Sequence, residues 1–168
     1  MKNYKQPLLS LGCAIAFLMG LSSFTGPEGA KATERQQDEA TINWLTIEEA
    51  QELSKKEPRK IFIDVYTDWC GWCKKMDKIT FTDEEVVEYT NKHFYAVKLK
   101  ADSDNKVMFH GKEVTQAELA RALRVSGYPT IVFFDETFSK FQPVSGFRQA
   151  DEFKKMLMQV NGETEAGG

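Results

Sequence analysis

The sequence predicts an α/β fold in which a central mixed sheet carries helices on both faces. Short runs rich in β-branched and aromatic residues, at 60–66, 94–101 and 126–135, alternate with segments of helical periodicity. Strands that alternate with helices pair in parallel and are covered on both faces. The run at 140–147 follows the third strand after a short turn, so it predicts an antiparallel hairpin at one edge of the sheet.

Three sequences of the form T-x-x-E predict where helices begin, because threonine and glutamate at this spacing satisfy each other's free backbone amides. They are Thr46 with Glu49, Thr82 with Glu85, and Thr115 with Glu118. The corresponding helices are predicted at 47–56, 83–92 and 116–124. The first of them ends before Pro58, because proline cannot continue a helix.

Apolar periodicity predicts two further helices, at 71–79 and 149–160. The apolar stripe of the first consists of Trp72, Met76 and Ile79. The apolar face of the second consists of Phe153, Met156, Leu157 and Val160. Between the outer strands, the polar stretch 102–114 predicts a loop with a small hairpin around His110 and Gly111.

Residues 1–32 have the layout of a secretory signal peptide. Two lysines precede an uncharged, mostly apolar run from Leu8 to Phe24, and Ala30-Lys31-Ala32 has the spacing of a cleavage signal, so we place the cut after Ala32. An uncleaved membrane anchor is the alternative, although this run of about 17 residues is shorter than the ~20 that a spanning helix needs. Cys13 lies in this segment, and we expect it to be removed with the signal.

Beyond the cut we expect a flexible leader at 33–41, a folded domain at 42–161 and a disordered tail at 162–168. The chain carries 22 basic and 25 acidic residues, a formal net charge of −3 without a basic patch, so nucleic acid is not an expected partner. We expect an exported, periplasmic monomer, or a membrane-anchored one if the signal is retained. In such an oxidising compartment, a neighbouring cysteine pair becomes a disulfide unless a donor keeps it reduced.

Cys70 and Cys73 lie in the stretch DWCGWCKK at 68–75 and permit three interpretations. A zinc site needs four ligands, and His93 and His110 show no ligand-like spacing, so no metal is predicted. A purely structural crosslink is also disfavoured, because closing so short a loop removes little entropy from the unfolded chain. Redox exchange is the interpretation that remains.

The two cysteines are expected to have different roles. Residues i and i+3 share one face of a helix, so their sulfurs can bond. Cys70 precedes the predicted helix at 71–79, where free amides and the positive end of the helix dipole stabilise a thiolate, while Cys73 lies inside the first turn. We therefore predict that Cys70 is the nucleophile and Cys73 the resolving thiol.

The motif Cys70-Gly71-Trp72-Cys73, following the strand IFIDVY and combined with VKLKAD and GYPT downstream, resembles the thioredoxin superfamily over residues 42–160. The resemblance implies the thioredoxin fold and a thiol-disulfide oxidoreductase that uses no cofactor besides the redox-active Cys70–Cys73 disulfide. In its DWCGWCKKM site the chain is similar to exported thioredoxin-like proteins, some of which resemble the electron-delivering domains of membrane thiol:disulfide interchange systems.

The resemblance also implies two further catalytic residues. Asp64 matches the buried strand carboxylate that helps to move a proton off the resolving thiol, a role that suits a carboxylate whose pKa is raised by burial. Lys98 matches the lysine near that carboxylate. Alternation in the strand YAVKLKA leaves open a second orientation, in which Lys98 points outward.

Six residues are expected to contact the substrate. They are Trp69, Gly71, Trp72, Tyr128, Pro129 and Gly146. Pro129 matches the family's cis-proline, whose neighbouring backbone pairs with an extended substrate, and X-Pro is the bond type for which cis is accessible. Gly146 resembles the glycine of the last hairpin that lets partners approach closely.

Trp72 departs from the pattern, because a typical thioredoxin has proline at this position. The residues between the cysteines tune the reduction potential, so the potential of a typical thioredoxin is not expected for this chain. We expect the reduction of protein disulfides with electrons from a membrane-linked donor. The alternatives are a disulfide donor and a non-catalytic binding module, for which Cys70→Ser would be silent.

Overall fold

The computed structural model describes residues 41–163, so the predicted signal peptide, most of the leader and residues 164–168 lie outside the described part. The strands are β1 Trp44–Leu45, β2 Lys60–Tyr66, β3 Phe94–Lys100, β4 Lys106–Phe109, β5 Lys112–Thr115, β6 Thr130–Phe134 and β7 Phe141–Ser145. The helices are α1 Ile47–Lys56, α2 Gly71–Ile79, α3 Glu84–His93, α4 Gln116–Ala122 and α5 Ala150–Asn161. Within residues 41–163, no helix combines the length and the apolar character needed to cross a membrane.

The central sheet has the strand order β1-β3-β2-β6-β7. Strands β1, β3 and β2 are parallel, while β6 and β7 form an antiparallel hairpin attached to β2. The predicted mixed sheet is therefore confirmed. The insertion at 102–114 forms the small hairpin expected around His110 and Gly111, with β4 and β5 paired as a separate two-stranded sheet. β1 was not predicted, because two residues are too short for periodicity to show.

Helices cover both faces of the sheet, each over its own apolar cluster. One cluster packs α1 and α4 against Ile63 and Val65, and the other packs α2, α3 and α5 around Phe62. Side chains of β2 therefore alternate between the two clusters. Because both faces of the strand are buried, its sequence is almost continuously apolar. The strand is buried from Ile61 to Val65, so the one carboxylate within it is buried as well.

Two details of the helix predictions are wrong. The capping boxes of α1 and α4 are present, but α3 is capped by Asp83, whose carboxylate accepts from the amides of Glu85 and Val86 at 3.1 Å each. The Thr82 hydroxyl instead donates to the Lys78 carbonyl at 2.6 Å. Aspartate is as good an N-cap as threonine, so the helix begins one residue later than the T-x-x-E pattern indicates.

The stripe predicted for α2 is also wrong. Trp72 and Ile79 are 57% and 40% exposed, and the buried residues of the helix are Cys73 and Met76. The helix thus turns its i, i+3 face toward the sheet, and Trp72 is left at the surface. An exposed tryptophan in this motif needs a different explanation from core packing.

The described chain begins and ends at the same end of the sheet. The Asn91 side-chain amide donates a hydrogen bond to the Thr41 carbonyl at 2.8 Å. The Arg59 guanidinium, just before β2, donates to the Asn91 carbonyl at 3.2 Å. The Lys60 ammonium, at the start of β2, donates to the Val160 carbonyl at 2.5 Å. The cysteine pair follows the opposite end of β2, about 20 Å away for a strand of this length.

Candidate active site

A disulfide joins Cys70 and Cys73 at the start of α2, directly after the connection from β2. The S–S distance is 2.08 Å and the Cα atoms are 5.3 Å apart. A turn brings the chain from β2 to this point, with the Cys70 amide donating to the Thr67 carbonyl at 3.2 Å. Both cysteines are nearly buried, at 5% and 3% exposure, so a partner must approach them along a defined surface. Among residues 41–163, no cluster of three or more potential metal ligands is found.

The two sulfurs are not equivalent. Cys70 is the N-cap of α2, and its Sγ accepts a hydrogen bond from the Cys73 amide at 3.0 Å. In the reduced protein, a thiolate on Cys70 would receive this hydrogen bond and the favourable potential at the start of the helix. The local geometry therefore favours Cys70 as the thiolate.

Asp64 lies in the middle of the sheet, paired in register with Lys98 of β3 on one side and Ile131 of β6 on the other. It is 2% exposed, and burial raises its pKa to about 6 despite the opposing effect of the Lys98 ammonium. Oδ2 accepts from Lys98 Nζ at 3.1 Å, whereas Oδ1 has no hydrogen-bond partner among the described residues. A carboxylate with a free lone pair and this pKa can accept a proton near neutral pH.

Lys98 points toward Asp64 and not away from it. Its ammonium bridges Asp64 and Asp77, a residue of α2. Burial alone lowers the pKa of Lys98, but the two carboxylates outweigh this effect and the pKa is raised. The ammonium also lies over three aromatic rings, at 4.8 to 5.5 Å from their centroids: Trp44, Tyr66 and Phe81. This enclosure keeps Lys98 protonated beside the carboxylate.

Sequence reasoning missed Asp77 and the three rings. Asp77 lies four residues after Cys73, so on a helix the two share a face, and this spacing was the available signal. The rings come from β1, β2 and the segment after α2, and no local pattern relates such distant positions. Only the assembled fold brings them around one ammonium.

Substitutions of Lys98 and Asp77 are expected to move the pKa of Asp64 in opposite directions. Lys98→Met removes the cation that lowers this pKa, so the value should rise above about 6. Asp77→Asn removes a like charge, so the value should fall. The carboxyl signal of Asp64, followed by NMR across a pH titration of the oxidised protein, measures both. Shifts of the same sign would contradict this electrostatic account.

The peptide bond between Tyr128 and Pro129 is cis, as the resemblance implies. Pro129 is buried directly before β6, and its carbonyl accepts from the Gly146 amide at 2.8 Å. Gly146 has φ of +98°, a backbone conformation that favours glycine. Among residues 41–163, neither the amide nor the carbonyl of Tyr128 has a backbone partner, so both are available to an extended chain.

Aromatic side chains flank the disulfide on both sides. Trp69 is 70% exposed and lies edge-on to Tyr128 at 5.6 Å between ring centroids. The Trp72 ring lies against that of Phe147, with 5.4 Å between ring centroids. A Cβ on Gly71, which precedes Trp72 in the sequence, would meet no atom within 4 Å. Phe147 was not among the predicted contact residues. The two exposed tryptophans, with the half-buried rings of Tyr128 and Phe147, form an apolar surface around the cysteines, as expected for a docking site.

Comparison with known proteins places the chain in a family. Residues 47–161 match the family model described as a thioredoxin-like domain. The thiol:disulfide interchange protein DsbD of Actinobacillus pleuropneumoniae serotype 5b is 35% identical over 118 residues, which cover 68% of this chain and 19% of that protein. The chain therefore spans about a fifth of the length of the curated relatives it matches.

Solved structures agree on the fold. The chain is similar to the DsbH oxidoreductase, with a TM-score of 0.59 at 22% identity, covering 73% of this chain and 86% of that one. The oxidised C-terminal domain of DsbD from Neisseria meningitidis gives a TM-score of 0.53 at 23% identity, covering 67% and 90%. With a disulfide at the start of α2, a cis-proline before β6 and this family match, the chain belongs to the thioredoxin-like family.

Proposed function

We propose that this chain is an exported enzyme that reduces protein disulfides through Cys70 and Cys73. The observation that carries the proposal is the position of Cys70 as the N-cap of α2, with its sulfur accepting the Cys73 amide at 3.0 Å. A sulfur so placed is stabilised as the thiolate, the form that attacks a disulfide.

The reaction passes two electrons in two exchanges. The Cys70 thiolate attacks one sulfur of the substrate disulfide, forming a mixed disulfide and releasing the first substrate thiolate. Asp64 takes the proton of the Cys73 thiol, and the new thiolate attacks Cys70 Sγ. The second substrate thiolate leaves, and the enzyme is left with the Cys70–Cys73 disulfide. During these steps, the free peptide groups of Tyr128 would pair with the substrate backbone.

The preference for reduction over oxidation rests on the similarity to the thiol:disulfide interchange protein DsbD, which is 35% identical over 118 residues. Stabilisation of the Cys70 thiolate identifies the attacking sulfur, but it does not set the direction, because it also favours the reduced form of the pair. The reduction potential of the pair decides the direction.

The substrates in this proposal are proteins with accessible disulfides, and each turnover leaves the enzyme oxidised. A second protein must therefore return two electrons, and we propose a membrane-linked donor. The signal-like features of residues 1–32 support export to the periplasm, where protein disulfides persist.

The equilibrium reduction potential of the Cys70/Cys73 pair tests the proposal. The full chain would be titrated in glutathione or dithiothreitol buffers, and the reduced fraction counted by thiol alkylation. A value of about −230 mV or lower is expected for a reductase, compared with about −120 mV for a strong disulfide donor. The oxidising value would overturn the direction, and a pair that does not cycle would point to the binding module. The Cys70→Ser/Cys73→Ser variant serves as the control for alkylation.

A further inference from the structure

We infer that one side of the disulfide is a cationic docking surface for protein disulfides flanked by acidic side chains. This cationic rim consists of Lys74, Lys75, Lys78 and Arg148. The inference rests on the proposed function and adds the charge preference of the substrate.

The first turns of the helices set α2 apart. Helices α1, α3, α4 and α5 each have glutamate or aspartate in the first turn, where a negative charge is favourable. Helix α2 has none there, and Lys74 and Lys75 follow directly after Cys73. Two cations so near the positive end of the helix dipole do not stabilise the helix. Their placement is therefore not explained by capping.

Lys78 lies three residues after Lys75 and four after Lys74, so it neighbours both on the helix surface, and all three lysines are exposed. None of them forms an ion pair with a carboxylate of residues 41–163. The Lys75 ammonium lies 5.0 Å from the Trp72 ring centroid and 5.1 Å from that of Phe147. It is thus held beside the exposed rings that flank the disulfide.

Arg148 brings a fourth cation to the same side. Its guanidinium donates to the carbonyls of Phe147 at 2.9 Å and Ser145 at 3.4 Å. Nη1 lies 3.2 Å from the position that a Cβ on Gly146 would occupy. Because the Gly146 amide binds the Pro129 carbonyl, this guanidinium lies next to the loop expected to receive the substrate backbone.

The nearby carboxylates do not neutralise the rim. Asp77 is engaged by Lys98, and Asp68, beside Trp69, is paired with Lys100. Asp151 and Glu152, in the first turn of α5, form no ion pair with the rim. The chain as a whole has a net charge of −3, so it repels acidic partners elsewhere. A local cationic surface on such a chain both attracts an acidic segment and orients it.

The test compares two synthetic peptides that contain the same disulfide and differ only in flanking glutamates or flanking lysines. Second-order rate constants for their reduction by the pre-reduced full chain would be measured at low ionic strength and at about 0.5 M salt. The readout is the ratio of the two rates, acidic over basic, because a change in thiol reactivity affects both peptides and cancels. Hydroxyethyl disulfide, which is neutral, reports whether the dithiol reacts at all.

We expect a ratio of about ten or more at low salt, falling toward one at high salt. Lys74→Gln and Lys78→Gln should each lower the ratio about two- to fivefold, while Lys112→Gln, on β5, should leave it unchanged. A wild-type ratio at or below one, or an equal loss in Lys112→Gln, would overturn the inference. If hydroxyethyl disulfide is reduced in that case, the proposed function stands alone. If neither the peptides nor this compound is reduced, both fail.

Discussion

Cys70→Ser is expected to abolish disulfide reduction, and Cys73→Ser is expected to halt the reaction at a mixed disulfide. The reason is the position of each sulfur: Cys70 is the N-cap of α2 and its sulfur accepts from the Cys73 amide, while Cys73 lies within the first turn of the helix. Only Cys70 can begin the exchange, and only Cys73 can release the product. Incubating each reduced variant with a disulfide-bonded protein, followed by non-reducing electrophoresis and mass spectrometry, distinguishes the two outcomes.

A matched control is available in the double variant, which should form no adduct. Tryptophan fluorescence and the thermal midpoint of the single variants would show that the fold is retained. An adduct that accumulates in Cys70→Ser and not in Cys73→Ser would reverse the assignment of nucleophile and resolving thiol. No adduct and no reduction with any of the proteins, together with unchanged partner binding in Cys70→Ser, would favour the binding module over the enzyme.

Asp64→Asn is expected to slow the resolving step about 10- to 100-fold near neutral pH, which is at or below the lower end of the roughly 10²- to 10⁴-fold that a general base usually contributes. The effect is limited because a thiol with an ordinary pKa near 8.5 is itself partly ionised at pH 8. Stopped-flow measurement of mixed-disulfide decay between pH 5 and 9 would show the loss. The wild-type rate should rise with a pKa near 6, and this rise should be missing in the variant.

The same substitution should make the oxidised protein more stable at high pH. Burial raises the pKa of Asp64 from 3.8 to about 6 in the folded protein. A raised pKa adds stability that is fully present below pH 3.8 and is lost as the pH rises through about 6. For a shift from 3.8 to about 6, the free energy of unfolding falls by about 3 kcal/mol over this pH range. Urea unfolding at pH 4 and pH 8 should therefore show a smaller difference for Asp64→Asn than for wild type.

An outcome of equal pH dependence in the two proteins would mean that Asp64 titrates alike in the folded and unfolded states. Asp83→Asn, at the N-cap of α3, is a suitable comparison, because Asp83 is only half-buried and asparagine also caps a helix. A stabilisation at pH 8 that appears in both variants would point to net charge and not to the buried site.

Local patterns in the sequence predict most of this fold, because the signals for the main elements are local. The strand at 60–66 is bounded by Pro58 and by the cysteine motif, and its apolar run suits a strand covered on both faces. Capping boxes locate the starts of α1 and α4, because the threonine and glutamate of each box are only three residues apart in the sequence. Where two local signals compete, as at Thr82 and Asp83, the sequence alone does not say which residue caps the helix.

The site itself is predictable only in part. The sequence motif identifies Cys70, Cys73 and Pro129, but the orientation of Lys98 depends on Asp77 and on rings from three separate segments. Lys75 is exposed, and its ammonium lies over the rings of Trp72 and Phe147, a contact that the sequence does not predict. Such contacts depend on how α2 packs against the loop after β7, which no single-segment pattern encodes.

Both ends of the described chain lie at the start of β2, and the disulfide lies beyond its far end. A fusion partner or affinity resin attached directly at Thr41 or Glu163 would therefore lie at the end of the sheet opposite the disulfide. The cysteines would then face away from the attachment point. Even with a short linker, the attached fusion partner or resin would not block the access of other proteins to the disulfide.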